Sequence, residues 1–309
     1  MAEWICRTTD ALTFSVLKII IFLRKRPSAA SGYGQTGFSD PYDWGKNKDM
    51  VTLNAEQQKL KDTFIKNRGY WNDFWDELLI LSPDFFDAYL NFSSIPWTPG
   101  VLEPKVKEFI YIANDASTTH LYEPGLRIHI RNALKYGATK EEIMEVFQLT
   151  SGLGVHTCVM GIPVLIDEFR KAGRGNEFEA AMTERQVKLK ETFIKNRGYW
   201  SDFWEGLLIL NADFFDAFLR LSSIPWTPGV LPPKIKEFIY IAIAAATTHL
   251  FETGVRIHIQ NAMKYGATKD EIMEVYQLTS ILGIHTCAMG VPVLVDELKK
   301  AGKPLLAEH

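Results

Sequence analysis

The stretch "THLYEPGLRIHIR" at residues 119–131 decides how this chain is interpreted, because it occurs twice. It returns as "THLFETGVRIHIQ" at residues 248–260, and each copy holds two histidines, a glutamate and an arginine around a glycine. Outward from this stretch, residues 60–173 align without gaps with residues 189–302, and about three-quarters of the positions are identical. This period is too long for one unit of a solenoid. Each copy is therefore predicted to be a whole small domain.

Within each copy the apolar residues recur at helical spacing, as in the segment that begins at Leu60 and Phe64. Ser82 and Pro83 mark one helix start, and Thr139 followed by acidic residues marks another. No hairpin signal interrupts the pattern. The sequence predicts an all-α fold of two tandem helical domains, residues 53–175 and 176–309, preceded by an appendage of a helix and a linker at residues 1–52.

The appendage and the composition indicate which partners and which cellular compartment are expected. Residues 11–23 are apolar apart from Lys18, and three basic residues follow at 24–26. The run is shorter than the roughly 20 residues that span a membrane, so an amphipathic helix over residues 11–26, on a membrane surface or on the protein body, is expected. The net charge of −3 gives no basic field for nucleic acid. Three cysteines without a C-x-x-C pair fit a reducing, cytoplasmic compartment.

The candidate functional residues cluster at the repeated stretch. His120 and Glu123 are three residues apart, His129 follows the turn, and His156 begins a later helix, so the four side chains are predicted to converge. Three imidazoles and a carboxylate suit one divalent metal, such as iron, manganese or zinc, in each repeat. The counterparts in the second repeat are His249, Glu252, His258 and His285.

The same groups also suit acid–base chemistry without a metal. In that alternative, His129 or His120 is the general acid or base, Glu123 orients it, and Arg127 holds a substrate carboxylate. The second-repeat counterparts are His249, Glu252, Arg256 and His258.

The stretches "PKVKEFIYIA" and "LRIHIRNALKYGATKEEIMEVFQL" resemble the carboxymuconolactone decarboxylase family, which includes alkyl hydroperoxide reductase D-like proteins. The peroxidase branch of this family has a Glu, eleven residues, Cys-x-x-Cys, three residues and a His. Counted from Glu108, the cysteine positions hold His120 and Glu123, and the next histidine is His129, two residues late. Thiol-dependent peroxide reduction is thereby excluded. The resemblance is closer to the decarboxylase branch, which releases CO2 from a small lactone acid without a cofactor.

The sequence thus predicts an enzyme that acts on a small carboxylated or cyclic molecule by decarboxylation or a related lyase or isomerase step. The first alternative is a metal-dependent enzyme, with a non-haem iron oxygenase as one form of it. A non-enzymatic subunit bound to a membrane or a complex is the second. The resemblance further implies assembly into a homo-oligomer.

Overall fold

The computed structural model describes residues 52–72, 74–179 and 181–305, except for the side chain of Asp202. The helix expected at residues 11–26 and its membrane contact lie outside these residues. Within them the chain is helical and holds no strand, which confirms the all-α prediction. The helices of the first repeat are α1 (Ala55–Arg68), α2 (Phe74–Leu81), α3 (Pro83–Ser94), α4 (Pro104–Ala116), α5 (Glu123–Lys135), α6 (Lys140–Ser151) and α7 (His156–Lys171).

The second repeat forms the same helices in the same order. They are α8 (Glu184–Arg197), α9 (Asp202–Leu210), α10 (Ala212–Ser223), α11 (Pro233–Ala245), α12 (Glu252–Lys264), α13 (Lys269–Ser280) and α14 (His285–Lys300). Short 3-10 turns at Gly152–Val155 and Ile281–Ile284 lead into α7 and α14.

Local sequence signals set the helix ends. Thr139 accepts a hydrogen bond from the backbone N–H of Glu142, and the Glu142 side chain accepts one from the backbone N–H of Thr139, a capping box that begins α6. Thr268 and Glu271 begin α13 in the same way. Gly69 ends α1 in the left-handed conformation (φ 72°), which glycine adopts without steric cost. These signals lie in both repeats, so both repeats fold to the same helices.

The two repeats belong to one compact unit whose centre is the contact between α4 and α11. Each central helix also packs on a helix of the other repeat, α4 on α13 and α11 on α6. Phe109, Ile112 and Val146 of the first repeat accordingly share a buried cluster with Ile239 and Ile243 of the second. The core therefore joins the repeats and does not divide between them.

The last helix of each repeat packs on the other repeat. α14 lies against α2, where Ile284 and Ala288 join the aromatic cluster around Phe64 and Trp75. α7 lies against α9 in the equivalent place in the second repeat. Each repeat therefore supplies its final helix to the aromatic cluster of its neighbour.

Buried ion pairs also cross between the repeats. Lys107 and Glu274 lie 2.9 Å apart, and their side chains are 3% and 5% exposed. The Glu274 carboxylate also accepts hydrogen bonds from the backbone N–H groups of Val101 and Leu102, so its charge is well compensated. Lys236 and Glu145 form the equivalent pair at 2.9 Å.

Two stretches, Lys140–Lys171 and Lys269–Lys300, are long and apolar enough to cross a membrane when judged by length and composition alone. Each consists of two helices with a 3-10 turn between them, and core helices pass the same test. The packing of α7 on α9 and of α14 on α2 uses part of their apolar surface. Exposed side chains such as Met160, Val164 and Val293 account for another part.

Candidate active site

The repeated stretch forms a tight turn between α4 and α5. α4 ends at Ala116, and the backbone N–H of His120 then donates to the carbonyl of Ser117. Leu121 has a positive φ of 50°, which is uncommon for a residue with a side chain and is found at functional sites. The backbone N–H of Tyr122 donates to the carbonyl of Asp115. The turn thus brings His120 and Tyr122 back over the end of α4.

Histidines from different repeats pair across this turn. Nε2 of His120 lies 2.8 Å from Nδ1 of His285, and Nδ1 of His156 lies 2.7 Å from Nε2 of His249. The packing of α14 and α7 on the opposite repeats produces this exchange. Burial and the neighbouring imidazoles lower the pKa of both His156 and His285 to about 3, so both pairs are neutral at neutral pH.

A buried histidine–glutamate pair lies inside each repeat. Nδ1 of His129 lies 2.7 Å from Oε2 of Glu108, and His258 and Glu237 have the same separation. Tyr111 stacks on the His129 ring with ring centroids 4.4 Å apart. Burial lowers the pKa of His129, but the Glu108 and Asp115 carboxylates together outweigh burial, so that the pKa lies above its ordinary value. Glu108 and His129 both belong to the family motif, but the sequence pattern predicted Glu123, and not Glu108, as the partner of the histidine.

Asp115 lies between the two histidine groups of the first repeat. Its side chain is fully buried, and neither of its oxygens has a hydrogen-bond partner among the described residues. Oδ1 lies 3.7 Å from His285 and 4.0 Å from His120, while Oδ2 lies 4.0 Å from His129. Burial raises the pKa of Asp115 to about 7, although the charge of His129 opposes the shift. The second repeat has Ala244 at this position.

Gly125 makes the buried position of Asp115 possible. A Cβ atom on Gly125 would lie 2.4 Å from Oδ2 of Asp115 and 2.7 Å from the Tyr122 ring, both closer than real contacts allow. The residue lies in the first turn of α5, where its conformation alone does not require glycine. It leaves room for both the carboxylate and the Tyr122 ring; in the second repeat a Cβ atom on Gly254 would lie 2.5 Å from the Phe251 ring.

Two cavities adjoin these groups, and each is built from both repeats. The first cavity has about 690 Å³ between its lining atoms, its mouth included, and the second about 650 Å³. The first is lined by residues that include Arg68, Tyr89, Glu108, Tyr122, His129 and His285. The second is lined by residues that include His156, Arg197, Phe218, Tyr240, Phe251 and His258.

The sequence comparison of the repeats did not predict the arginine in each cavity. Arg68 donates a hydrogen bond to the carbonyl of Ser93 and lies over the Trp97 ring at 5.3 Å. Neither contact is a carboxylate. The signal is present in the repeated "KNRGYW" at residues 66–71 and 195–200. It is weak, because an arginine at a helix end is ordinarily explained by the helix dipole.

The structure does not bring Glu123 and Arg127 to the histidines. Glu123 is the first residue of α5 and forms an ion pair with Arg127 one turn later; their side chains are 52% and 64% exposed. Glu252 and Arg256 do the same. The expected shared face of His120 and Glu123 is wrong because α4 ends at Ala116 and His120 lies in the turn. Within the described part of the chain, no contact supports roles for these four residues as site carboxylates or anion anchors.

The predicted grouping of His120, His129 and His156 within one repeat is also corrected. His156 pairs with His249, so its place beside His120 is taken by His285. The reason is the exchange of the last helices between the repeats. The six histidines that the sequence singled out nevertheless lie at or beside the two cavities.

Comparison with known proteins agrees with this architecture. The sequence profile described as the carboxymuconolactone decarboxylase family matches residues 83–151 and 212–302. The chain belongs to the carboxymuconolactone decarboxylase family. The two matched regions also confirm the tandem duplication of the family domain.

A solved structure extends the similarity beyond the family core. It is a crystal structure from Burkholderia xenovorans LB400 of a protein whose assignment as a gamma-carboxymuconolactone decarboxylase subunit is provisional. The two share 44% sequence identity with a TM-score of 0.76 over 79% of this chain and 98% of that one. No curated protein matches the chain. For this family member the comparisons suggest a lyase at the level of the family, while substrate and mechanism are matters for proposal.

The two cavities of this family member differ in polarity. The first is lined by Tyr122 and Tyr89 where the second has Phe251 and Phe218, and the buried Asp115 beside the first corresponds to Ala244 beside the second. Duplicated helices therefore carry unequal sites. The first cavity is the richer in groups that can donate or accept protons.

Proposed function

We propose that the first cavity is the active site of a lyase that removes CO2 from a small carboxylated or lactone substrate without a redox cofactor. One observation carries the proposal. The cavity places Arg68, a cation that contacts a carbonyl and an aromatic ring but no carboxylate of the described residues, beside the buried pair of Glu108 and His129. Arg68 is half-buried, and a partly desolvated charge that no carboxylate contacts favours an anionic ligand.

The roles follow from the chemistry of each group. Arg68 binds the oxygen of the substrate that becomes negative as the carbon–carboxylate bond breaks. Glu108 accepts a hydrogen bond from Nδ1–H of His129, which fixes the ring and favours its protonated form. Protonated His129 then donates its Nε2 proton to the carbon that CO2 has left. The electron pair of the broken bond ends in the new C–H bond, and solvent returns the proton to His129.

The first test is CO2 release from carboxymuconolactone, the substrate that the name of the similar crystal structure suggests. We expect His129→Asn to lower kcat about 10²- to 10⁴-fold, as for loss of a general acid. Arg68→Ala is expected to weaken kcat/KM about ten- to a hundredfold, the worth of a charged hydrogen bond. Absence of release by the wild type, or full activity of His129→Asn, would refute the proposal.

The second cavity supplies matched controls. His258→Asn and Arg197→Ala make the same changes in a cavity that lacks the aspartate and both tyrosine hydroxyls. The second cavity repeats Arg197 and His258 but lacks the hydroxyls of Tyr89 and Tyr122, to which we assign substrate binding in the first, so each control should keep at least half of the activity. Equal losses from both sets would show that the two cavities work alike.

The expected assembly and location extend this proposal. Exposed apolar residues on α7 and α14, including Met160, Val164, Met289 and Val293, favour a homo-oligomer. The cysteine pattern without a C-x-x-C pair favours the cytoplasm. Light scattering of the purified chain at two concentrations tests the assembly.

A further inference from the structure

Three groups from two repeats meet beside the first cavity in a pattern that suits a metal ion. They are Asp115 and His120 of the first repeat and His285 of the second. Oδ1 of Asp115, Nε2 of His120 and Nδ1 of His285 all lie within 4.8 Å of one another. Of these residues, His285 lines the cavity, while Asp115 is fully buried behind it.

The three separations define where an ion would lie. They are 2.8 Å between the imidazole nitrogens, 3.7 Å from Oδ1 to His285 and 4.0 Å from Oδ1 to His120. The point equidistant from three atoms so placed lies inside their triangle, about 2.1 Å from each, which is the bond length of zinc to nitrogen and carboxylate oxygen. The site is thus close to its liganded shape already.

The buried carboxylate is an independent indication of a ligand. Both oxygens of Asp115 lack a hydrogen-bond partner among the described residues, although the side chain has no exposure. Buried polar groups in folded proteins are almost always satisfied. The neighbouring Gly125 leaves room for this carboxylate, which a Cβ atom would displace.

We propose that Asp115, His120 and His285 bind one divalent first-row transition metal ion per chain. Two imidazoles and one carboxylate suit zinc or iron, and an ion in the plane of these three donors keeps open positions on both sides of that plane. This set shares His120 with the one expected from the sequence but replaces Glu123 and His156. The inference is independent of the proposed decarboxylation, since metal binding is measured on the protein alone.

The second cavity is expected to bind no ion of this kind. His156 and His249 lie 2.7 Å apart there, but Ala244 supplies no carboxylate. Two neutral imidazoles alone supply two ligands and no negative charge, which is too few for a site of this kind. The stoichiometry is therefore one ion per chain and not one per repeat.

Cobalt(II) titration of the untagged, chelator-treated full chain tests the proposal. We expect one equivalent to bind, with visible absorption bands of a nitrogen–oxygen site, and elemental analysis to confirm the ratio. Loss of an outer partner of a ligand weakens metal binding about 10- to 100-fold, so loss of the ligand in Asp115→Ala should weaken it at least about a hundredfold. Asp115→Asn keeps the shape of the side chain and should show the same loss.

The reverse substitution in the second cavity tests most directly whether the carboxylate creates the metal site. Ala244→Asp places the missing carboxylate beside His156 and His249 and should raise the stoichiometry to two. A wild-type chain that binds no cobalt, or tight binding that survives both Asp115 variants, would overturn the site. Two equivalents in the wild type, or one in folded Ala244→Asp, would overturn the role of the carboxylate in distinguishing the cavities. Thermal unfolding confirms that each variant is folded.

Discussion

Nε2 of His120 lies 2.8 Å from Nδ1 of His285, although the two residues belong to different repeats. The contact exists because α14, which His285 begins, packs on α2 of the first repeat. Each cavity is consequently a product of the duplicated pair, and neither repeat holds a complete set of histidines by itself.

This pairing predicts which histidine changes its ring-nitrogen resonances when another histidine is replaced. His120→Gln is expected to shift the ring-nitrogen resonances of His285 and to leave those of His156 unchanged, because only His285 is in hydrogen-bond contact. Long-range ¹H–¹⁵N spectra of histidine-labelled protein measure this. His249→Gln is the matched control and should shift His156 alone. A response of His156 to His120→Gln would indicate self-contained repeats.

The fold was predictable because its signals are local. Helical spacing of apolar residues and capping residues such as Thr139 and Thr268 act over a few positions, and both copies carry them. The Glu108–His129 contact also joins neighbouring elements, since α4 and α5 are consecutive and are joined by a short turn.

The exchange between repeats was not predictable from the same sequence. Because "HTC" follows a glycine and one apolar residue in both copies, His156 and His285 look equally suited to pair with His120. Only the relative packing of the last helices selects His285, and that choice depends on tertiary contacts over long separations. The prediction for Glu123 was wrong because of local structure. Its spacing from His120 suggested a shared helix face, but α4 ends before His120.

Removing one partner of a buried cross-repeat ion pair should be costly. Lys107→Met leaves the Glu274 carboxylate buried beside two backbone donors, and we expect a loss of about 3–5 kcal/mol in the free energy of unfolding. Urea denaturation measures it. The double variant Lys107→Met with Glu274→Leu should recover part of the loss because no unpaired charge remains.

An exposed ion pair provides the comparison. Arg256 and Glu252 are 72% and 75% exposed, so Arg256→Ala should cost at most about 1 kcal/mol. If Lys107→Met costs as little stability as Arg256→Ala, the buried Lys107–Glu274 pair does not stabilise the contact between the repeats.

Gly125 is predicted to be intolerant of a single added methyl group. In Gly125→Ala the new Cβ atom would meet Oδ2 of Asp115 at 2.4 Å, so the carboxylate or the Tyr122 ring must move. Overpacking of this kind costs about 1–3 kcal/mol. We also expect cobalt binding to be lost, since Asp115 can no longer reach both histidines.

Gly161→Ala is the control for that substitution. Gly161 lies inside α7, and apart from its chain neighbours and the local backbone of the helix, no described atom lies within 4 Å of the position that an alanine methyl group would take. Alanine there should therefore be neutral or stabilising by up to ~1 kcal/mol. Equal behaviour of the two variants in thermal unfolding and cobalt titration would show that Gly125 has no special spatial role.

The second cavity should make folding sensitive to mild acid. The pKa of His156 is lowered to about 3 in the folded protein by burial and by His249, whereas an unfolded histidine titrates near 6.5. Between these values the unfolded state binds a proton that the folded state does not. The titration of His156 therefore costs no stability above about pH 6.5. Below that pH the free energy of unfolding falls by up to ~1.4 kcal/mol per pH unit for this one group.

The slope of stability against pH isolates this contribution. Urea unfolding of chelator-treated wild type and His156→Gln at several pH values from about 4.5 to 7.5 measures it. His156→Gln should be less stable at neutral pH, because His249 loses its partner, yet its stability should fall less steeply below about pH 6.5. Parallel slopes in the two proteins would mean that His156 is protonated in the folded state, and that the histidine pair of the second cavity is not the neutral, mutually hydrogen-bonded pair that the geometry shows.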